Sequence, residues 1–260
     1  MAIVTLITDF GTADGYVGEM KGAVLSRAPH ATVVDVAHDL PPGDIEAAAW
    51  VLSRVWQRFP PGSVHVVVVD PGVGGPRRAL ALRAMDRWFV GPDNGVAGRV
   101  VAESSASEAW TLDPERCAPG PISATFHGRD LFAPAAGRIA AGDMPDALGD
   151  PLAPARLVPL GTEPPSRSRD CVRGRVAHVD RFGNLITDIP ASWVSPTALT
   201  ELGGVELSGV RSSYTSVPSG QIVVVIGSAG TLEISVRDGN ASERLSVGRG
   251  EPVSVRPERD

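Results

Sequence analysis

An almost unbroken run of valines at residues 64–69, interrupted only by His65, limits the folds that this chain can adopt. A stretch that is apolar on both faces is typical of a central parallel strand with helices packed on both sides. The run ends at Asp70, and a proline and three glycines over residues 71–75 allow a tight turn that a ligand can approach closely. Because ligands bind beyond the carboxyl ends of strands in open α/β sheets, Asp70 and the nearby Arg77 are predicted to border a binding site.

In a simpler interpretation, Asp70 only caps the turn and Arg77 is a solvated surface charge. Asp-Pro-Gly alone does not separate the two interpretations.

The composition is that of an ordinary globular protein. The chain has 260 residues, enough for two domains, and its net charge of −6 argues against a general nucleic-acid binder. No apolar stretch approaches the roughly 20 residues of a membrane span, and the start lacks the basic segment of a signal peptide. Cys117 and Cys171 lie far apart and form no metal-ligand pattern. We therefore expect a cytoplasmic protein with reduced thiols that binds neither nucleic acid nor membranes.

The first part of the chain alternates predicted strands and helices. The strands fall at residues 2–8, 32–36 and 64–69, with a hairpin at 79–83 and 87–90, and the helices at about 16–28 and after the N-cap Asp44. The first strand also ends on a carboxylate, Asp9, and a second acid, Asp14, follows in the same glycine-rich turn. These two carboxylates either cap the next helix or bind a polyol or an amine.

His127 lies in the segment S-A-T-F-H-G-R-D, residues 123–130, immediately before another predicted helix. A lone histidine at such a place is either structural or faces a cleft. Together with Asp70 and Arg77, however, it could hold, polarise and deprotonate a water molecule.

The second part of the chain has a different pattern. Residues 151–169 are rich in proline and arginine and form a predicted linker between a first domain at 1–150 and a second at 170–260. Beyond the linker, short strands are predicted at residues 171–179, 185–189, 221–226, 232–236 and 252–255. Helical patterns are absent there, so we expect a small antiparallel sandwich or barrel after an α/β domain with a mostly parallel sheet.

Five sets of motifs occur in order along nearly the whole chain: I-T-D-F-G, V-V-D-P-G-V-G-x-x-R, F-H-G-R-D, D-x-F-G-N, and S-x-G-x-L-E-I with G-N-A. Together they resemble the motifs of the S-adenosyl-L-methionine hydroxide adenosyltransferases, which are related to fluorinating and chlorinating enzymes. The resemblance implies an α/β domain, a linker and a β-barrel domain. It also implies a homotrimer, with the substrate between the first domain of one subunit and the second domain of its neighbour.

The implied reaction is attack of water, or of hydroxide derived from it, on C5′ of S-adenosylmethionine, giving adenosine and L-methionine. Asp70, Arg77 and His127 match the family's water-activating triad. In this assignment Asp70 accepts a hydrogen bond from the water, Arg77 holds that carboxylate in its ionised form, and His127 positions the water or removes its proton. The leaving group is a neutral thioether, so no cofactor and no metal are expected.

Further substrate contacts are implied by the same resemblance. Asp9 matches the ribose-hydroxyl acceptor, and Asp14 with Asp180 matches the pair that holds the methionine ammonium group. Phe182 and Tyr214 match the aromatic residues that stack on adenine. Asn184 matches a residue that hydrogen-bonds adenine, and Ala241 one whose backbone contacts the adenine edge. Ser228 matches the contact to the methionine carboxylate. Alternatively, these residues have only structural roles: Phe182 and Tyr214 belong to the barrel core, and Asn184 is a turn residue.

The chain departs from the family pattern around the matched serine. Gly227 stands where the family usually has asparagine, Ala229 where it has phenylalanine or arginine, and Thr231 where it commonly has an aromatic residue. We therefore expect altered contacts, and weaker affinity, at the carboxylate end of the substrate.

Two other functions are compatible with these motifs. The first is a halide-using synthase of 5′-halogenated adenosine. In the halogenating relatives, the resemblance implies tyrosines at the positions of Asp70 and His127. An anionic Asp70 would also repel a halide in a desolvated pocket, so this function is disfavoured. The second is a non-catalytic protein that binds S-adenosylmethionine or adenosine, for which a water-activating triad is unnecessary.

Overall fold

Residues 2–104, 107–118 and 120–257 are described in the computed structural model. The chain divides into two units, Met1–Gly161 and Thr162–Asp260. Within residues 151–169, assigned above to a linker, one strand of the first unit ends and one strand of the second unit begins. The domain bounds 1–150 and 170–260 stay predictions.

The first unit contains a seven-stranded sheet in the order β2-β1-β3-β5-β4-β6-β7. The valine run forms the strand β3, and all five of its residues are buried, as its apolar pattern predicts. The strands are β1 (Ile3–Thr8), β2 (Thr32–Ala37), β3 (Val64–Val68), β4 (Ala79–Ala84), β5 (Arg87–Pro92), β6 (Ser107–Leu112) and β7 (Gly149–Leu152).

The α/β class is confirmed, but the sheet is mixed rather than mostly parallel. The pairs β1–β2, β1–β3 and β3–β5 are parallel, whereas β4–β5, β4–β6 and β6–β7 are antiparallel. The antiparallel half begins at the predicted hairpin, whose turn residues Met85 and Asp86 have φ angles of 48° and 58°. Two consecutive residues with positive φ form the tight turn that joins adjacent antiparallel strands.

Helices cover both faces of this sheet. Buried residues of α1 and α5 pack on one face, and buried residues of α2 and α3 pack on the other. The helices are α1 (Tyr16–Leu25), α2 (Ile45–Trp56), α3 (Gly98–Glu103), α4 (Pro114–Cys117) and α5 (Ala133–Ala141), with a π-helical turn at Gly128–Phe132 directly before α5. As expected, Asp44 caps α2 by accepting a hydrogen bond from the Ala47 amide.

The helix α1 is shorter than the predicted 16–28 span. It ends at Leu25, which is exposed rather than buried with Val17, Met20 and Val24. Pro29 disfavours helical backbone at the residue before it, which is one reason for the early end.

The second unit is an antiparallel, nearly closed barrel with the strand order β12-β11-β15-β9-β10-β14-β13, and β8 pairs with β9. Beyond the end of β12, Arg211 makes a bridge to Val225 of β13, so the two edges of the sheet approach each other. The strands are β8 (Ser166–Arg167), β9 (Val172–Val179), β10 (Leu185–Pro190), β11 (Leu199–Leu202), β12 (Val205–Ser208), β13 (Ile222–Ile226), β14 (Thr231–Val236) and β15 (Pro252–Arg256).

This unit differs from the sequence prediction in two respects. The short strands β8, β11 and β12 were not predicted. A short helix, α6 (Ala241–Leu245), interrupts the all-β pattern, and Asn240 caps it by accepting a hydrogen bond from the Glu243 amide. In the part of the chain that the structure describes, no helix has the length and apolar character needed to cross a membrane.

Candidate active site

The strand order of the first unit reverses between β1 and β3. The chain passes from β1 to β2 on one side and then to β3 on the other, so a crevice opens beyond the carboxyl ends of β1 and β3. Asp9 follows β1, and Asp70 follows β3 closely. Both side chains line a cavity of about 190 Å³ at this point, together with Phe10, Gly43, Val68, Pro71, Val73, Thr125, Phe126, His127 and Gly128.

Asp70, Arg77 and His127 form one continuous polar contact. Arg77 Nε lies 3.0 Å and 2.9 Å from the two carboxylate oxygens of Asp70, and its Nη2 donates to Asp70 Oδ2 as well. The same Nη2 lies 2.7 Å from His127 Nδ1. The side chain of Asp70 is 4% exposed and that of Arg77 is 12% exposed, so solvent screens this pair only weakly.

The arginine contact determines the protonation of His127. A guanidinium group can only donate, so His127 Nδ1 accepts and the neutral imidazole carries its proton on Nε2. Burial, reinforced by the positive charge of Arg77, lowers the pKa of His127, against the opposing charges of Asp70 and Asp130. His127 is therefore a neutral hydrogen-bond donor on its free side.

Close backbone packing brings the loop after β3 to His127. At Gly74, where φ is 75°, an added Cβ atom would lie 2.4 Å from the carbonyl oxygen of Ala124. Only glycine satisfies both the positive φ and this close approach. The ring of Phe132, in the π-helical turn after His127, then supports Arg77, whose Cζ lies 5.4 Å from the ring centroid.

The neighbouring Arg78 has a separate role. Its Nε donates to Asp93 at 2.7 Å, and its Nη2 donates to the Arg156 carbonyl at 2.6 Å. Asp93 also accepts from the Val158 amide at 2.9 Å. Arg78 thus tethers the segment after β7, whereas Arg77 reaches the cavity-lining residues.

Two charged residues of the F-H-G-R-D motif hold the loop in place. Arg129 donates to Glu19 of α1 at 2.7 Å and to Asp130 at 2.6 Å. Asp130 accepts from the Ser123 amide, and its bond to Arg129 lowers its pKa. These contacts fix the segment that carries His127 against α1.

The two acids near the first strand lie in different surroundings. Asp9 Oδ2 accepts from the Gly43 amide at 2.7 Å, which leaves Oδ1 for a further donor. Asp14 is exposed on the loop before α1 and is not among the residues that line the cavity.

Sequence reasoning missed the aromatic wall of the cavity. Phe10 and Phe126 line it, with ring centroids 5.6 Å apart, and Tyr16 packs edge-on against both rings. Both phenylalanines occur inside quoted motifs, next to Asp9 and His127. This adjacency was the available signal.

In the second unit, four of the implied substrate contacts gather around the turn between β9 and β10. Asp180 accepts from the Phe182 and Asn184 amides and from the Asn184 side chain, each at 2.9 Å. Phe182 is 74% exposed, so it is not barrel core. The α6 end meets this turn, because the Ser242 amide, next to Ala241, donates to the Gly183 carbonyl at 3.0 Å. The Asn184 side chain thus helps to hold the turn through its hydrogen bond to Asp180.

Tyr214 lies in a short helical turn after β12 and is 44% exposed, so it is not barrel core either. Its hydroxyl donates to Glu233 Oε1 at 2.6 Å. That hydrogen bond, with burial and the charge of Glu233, raises the pKa of Tyr214 to about 12, and the charge of Asp180 contributes.

Ser228 lies on the turn between β13 and β14. Among the described residues, no three His, Cys, Asp or Glu side chains gather in a way that would hold a metal ion.

The crevice at the switch point of the α/β sheet is lined by a carboxylate and an imidazole that share one arginine. This arrangement is that of an enzyme-type α/β domain, here followed by a β-barrel. The chain belongs to the SAM hydroxide adenosyltransferase family, where SAM is S-adenosyl-L-methionine. The model of the family's N-terminal domain matches residues 4–149, and that of its C-terminal domain matches residues 174–254.

Individual relatives agree with this membership. The chain is 41% identical to a protein of Thermus thermophilus named (R)-S-adenosyl-L-methionine hydrolase, over 98% of this chain and all of that one. The crystal structure of an uncharacterized conserved protein from Thermotoga maritima is similar, with a TM-score of 0.91, 34% identity, 98% coverage of this chain and full coverage of the other. A fluorinase of Actinoplanes sp. is 29% identical over 72% of this chain and 71% of its own.

Proposed function

We propose that this protein hydrolyses S-adenosyl-L-methionine to adenosine and L-methionine. The observation that carries the proposal is the contact chain Asp70–Arg77–His127, whose acid and imidazole line the same cavity as Asp9. Family membership and the near full-length likeness to a protein named as an S-adenosylmethionine hydrolase support it.

In the proposed reaction, a water oxygen attacks C5′ while the C5′–S bond breaks on the opposite side. The bonding electron pair goes to sulfur, which leaves as the neutral thioether of methionine and needs no acid catalyst. The water transfers one proton to Asp70 and keeps the other as the 5′-hydroxyl of adenosine. Asp70 has oxygen lone pairs beyond those used by Arg77, so it can accept from the water.

His127 orients the water rather than removing its proton. Its Nδ1 is occupied by Arg77, so its Nε2–H donates to the water oxygen and directs a lone pair of that oxygen toward C5′. Arg77 therefore aligns both groups that contact the water, the Asp70 carboxylate that accepts its proton and the His127 Nε2–H that donates to its oxygen.

The remaining contacts follow the family assignment. Asp9 Oδ1 would accept a ribose hydroxyl, and Asp14 with Asp180 would pair with the ammonium group. Phe182 and Tyr214 would stack on adenine, which is consistent with the exposure of both rings. Asn184 and the Ala241 backbone would bond the adenine edge, and Ser228 the methionine carboxylate.

We further propose a homotrimer in which the first domain of one subunit and the second domain of its neighbour enclose the substrate. The cavity of about 190 Å³ is smaller than a pocket for a ligand of this size, which is about 300–1,000 Å³. The test mixes subunits carrying Asp70→Asn with subunits carrying Phe182→Ala. Shared sites predict that the mixture recovers activity, because some hybrid sites are wild type in both halves. Activity no higher than in either variant alone would contradict this arrangement.

The direct test of hydrolysis incubates the protein with S-adenosylmethionine in halide-free buffer and ¹⁸O-labelled water. Mass spectrometry should find one labelled oxygen in adenosine and none in methionine, because only C5′ receives the water oxygen. Chloride-dependent formation of 5′-chloro-5′-deoxyadenosine would favour the halide-using alternative. Unchanged substrate with tight binding by calorimetry would leave only the binding function.

A further inference from the structure

The strand β14 carries a buried carboxylate on the outer face of the barrel. Leu232 and Ile234 point into the barrel core, so the alternating residues Glu233 and Ser235 point to the opposite face. Glu233 is nevertheless only 4% exposed. A buried carboxylate is costly unless it is hydrogen-bonded, so its partners are informative.

One oxygen of Glu233 holds two hydroxyl groups. Glu233 Oε1 accepts from Tyr214 Oη at 2.6 Å and from Ser235 Oγ at 2.9 Å. Hydrogen bonds to an ionised acceptor are short and strong. The tyrosine bond therefore ties the short helical turn that carries Tyr214 to the body of the barrel.

The other oxygen of Glu233 occupies space that a side chain at residue 227 would need. A Cβ atom added to Gly227 would lie 2.2 Å from Glu233 Oε2. The conformation of Gly227 is not one that demands glycine, because its φ lies outside the positive range. The structure therefore explains the glycine at residue 227 by the space that the Glu233 carboxylate occupies.

We infer that Glu233 is a positioning residue that fixes, through the Tyr214 hydroxyl, the aromatic face on which the adenine of the substrate stacks. Gly227, which lacks a side chain, leaves the space that the Glu233 carboxylate needs in order to hold Tyr214. The inference rests on the proposed function, which places Tyr214 against adenine. A tyrosine ring has few rotatable bonds, so anchoring its hydroxyl leaves little of the ring to be ordered when adenine binds.

The first experiment measures adenosine binding by calorimetry for the variants Tyr214→Phe, Glu233→Ala and their combination. Each single variant should weaken binding about 3- to 10-fold, the cost of ordering one side chain, and the double variant should be no weaker than either single one. Glu233→Gln keeps an acceptor oxygen and should bind nearly as wild type. Effects of Glu233→Ala and Tyr214→Phe that multiply would overturn the inference, because Glu233 would then act independently of Tyr214.

Gly227→Asn is the second probe and leaves both partners in the chain. It should weaken adenosine binding like Glu233→Ala and add nothing in a Glu233→Ala background, where the space is already empty. An equal loss in both backgrounds would contradict the role of Gly227. Thermal unfolding of every variant separates weakened binding from lost folding.

A substrate-free measurement separates this inference from the proposed function. The chain has two tyrosines, so 3-fluorotyrosine in a Tyr16→Phe background gives a single ¹⁹F resonance from Tyr214. The ionisation midpoint of that resonance should fall in the Glu233→Ala variant. If wild-type protein neither binds adenosine nor hydrolyses S-adenosylmethionine but the midpoint still falls, the proposed function fails while the Glu233–Tyr214 coupling stands. An unmoved midpoint would remove the coupling itself.

Discussion

Arg77 Nη2 lies 2.7 Å from His127 Nδ1 while the same side chain holds both carboxylate oxygens of Asp70. One guanidinium therefore sets the orientation of the carboxylate and the tautomer of the imidazole together. The residues come from separate parts of the chain, the loop after β3 and the segment before α5. Removing any one of them should have a distinct effect.

Asp70→Asn should remove the proton acceptor without opening the cavity. We expect turnover to fall about 10²- to 10⁴-fold, the range for loss of a general base, with adenosine affinity within a few-fold of wild type. Steady-state kinetics measures the turnover, and calorimetry measures the adenosine affinity. Unchanged turnover would show that Asp70 is not the acceptor.

Arg77→Lys should be far from conservative, because lysine cannot donate simultaneously to a carboxylate and to His127 in a fixed plane. We expect kcat to fall about 100-fold, as for other misaligned reacting groups. Arg78→Lys is the matched control, since Arg78 contacts Asp93 and the Arg156 carbonyl instead. It should cost about 1 kcal/mol of unfolding free energy and leave kcat unchanged. Equal losses of kcat in both variants would contradict the division of roles.

Gly74→Ala should displace the loop that carries Asp70 and Arg77. The alanine meets both a positive φ and the Ala124 carbonyl, whereas Gly62→Ala, at φ 83°, meets the positive φ alone. We expect Gly74→Ala to lower the free energy of unfolding by about 2 kcal/mol more than Gly62→Ala and to reduce kcat. Chemical denaturation measures the difference. Similar losses in both variants would mean that the loop moves aside freely.

His65 should make stability depend on pH. It is fully buried beside Trp56, and burial lowers its pKa from 6.5 to about 4. The unfolded chain therefore binds a proton that the folded chain excludes, so stability is full above pH 6.5 and falls as the pH decreases toward 4. The loss should reach about 3 kcal/mol.

The comparison with His65→Gln isolates this contribution. Between pH 6.5 and 4, the His65→Gln variant should lose about 3 kcal/mol less of its unfolding free energy than wild type loses. His30→Gln, at an exposed histidine, is the control and should follow wild type. Parallel curves for wild type and His65→Gln would refute the assignment.

Much of the first unit could be predicted from local patterns. The run that forms β3 is apolar on both faces because helices cover both faces, and Asp44 caps α2 because its side chain reaches a free amide. The direction of strand pairing could not be predicted beyond the hairpin, since an apolar run looks alike in parallel and antiparallel neighbours. The helix α6 is set by the Asn240 cap over a length too short for periodicity.

The candidate site shows the same limit. Motif spacing singled out Asp70, Arg77 and His127, but the different contacts of Arg77 and its neighbour Arg78 depend on residues distant in the sequence. Phe10 and Phe126 escaped notice because an aromatic residue beside a motif is usually core. Glu233 was quoted within a motif without a role, because its partners Tyr214 and Gly227 lie on other segments.

The arginine that joins Asp70 to His127 also determines how the cavity discriminates between substrate and products. With His127 neutral, the charges of Asp70 and Arg77 cancel, and Asp9 leaves one negative charge in excess at the crevice. A sulfonium cation is attracted to such a site, and the attraction is strong where water is scarce. Once the C5′–S bond breaks, that positive charge no longer exists. The reaction thus cancels the electrostatic attraction that retained its substrate, and the proton that Asp70 accepts also neutralises the negative charge in excess at the crevice.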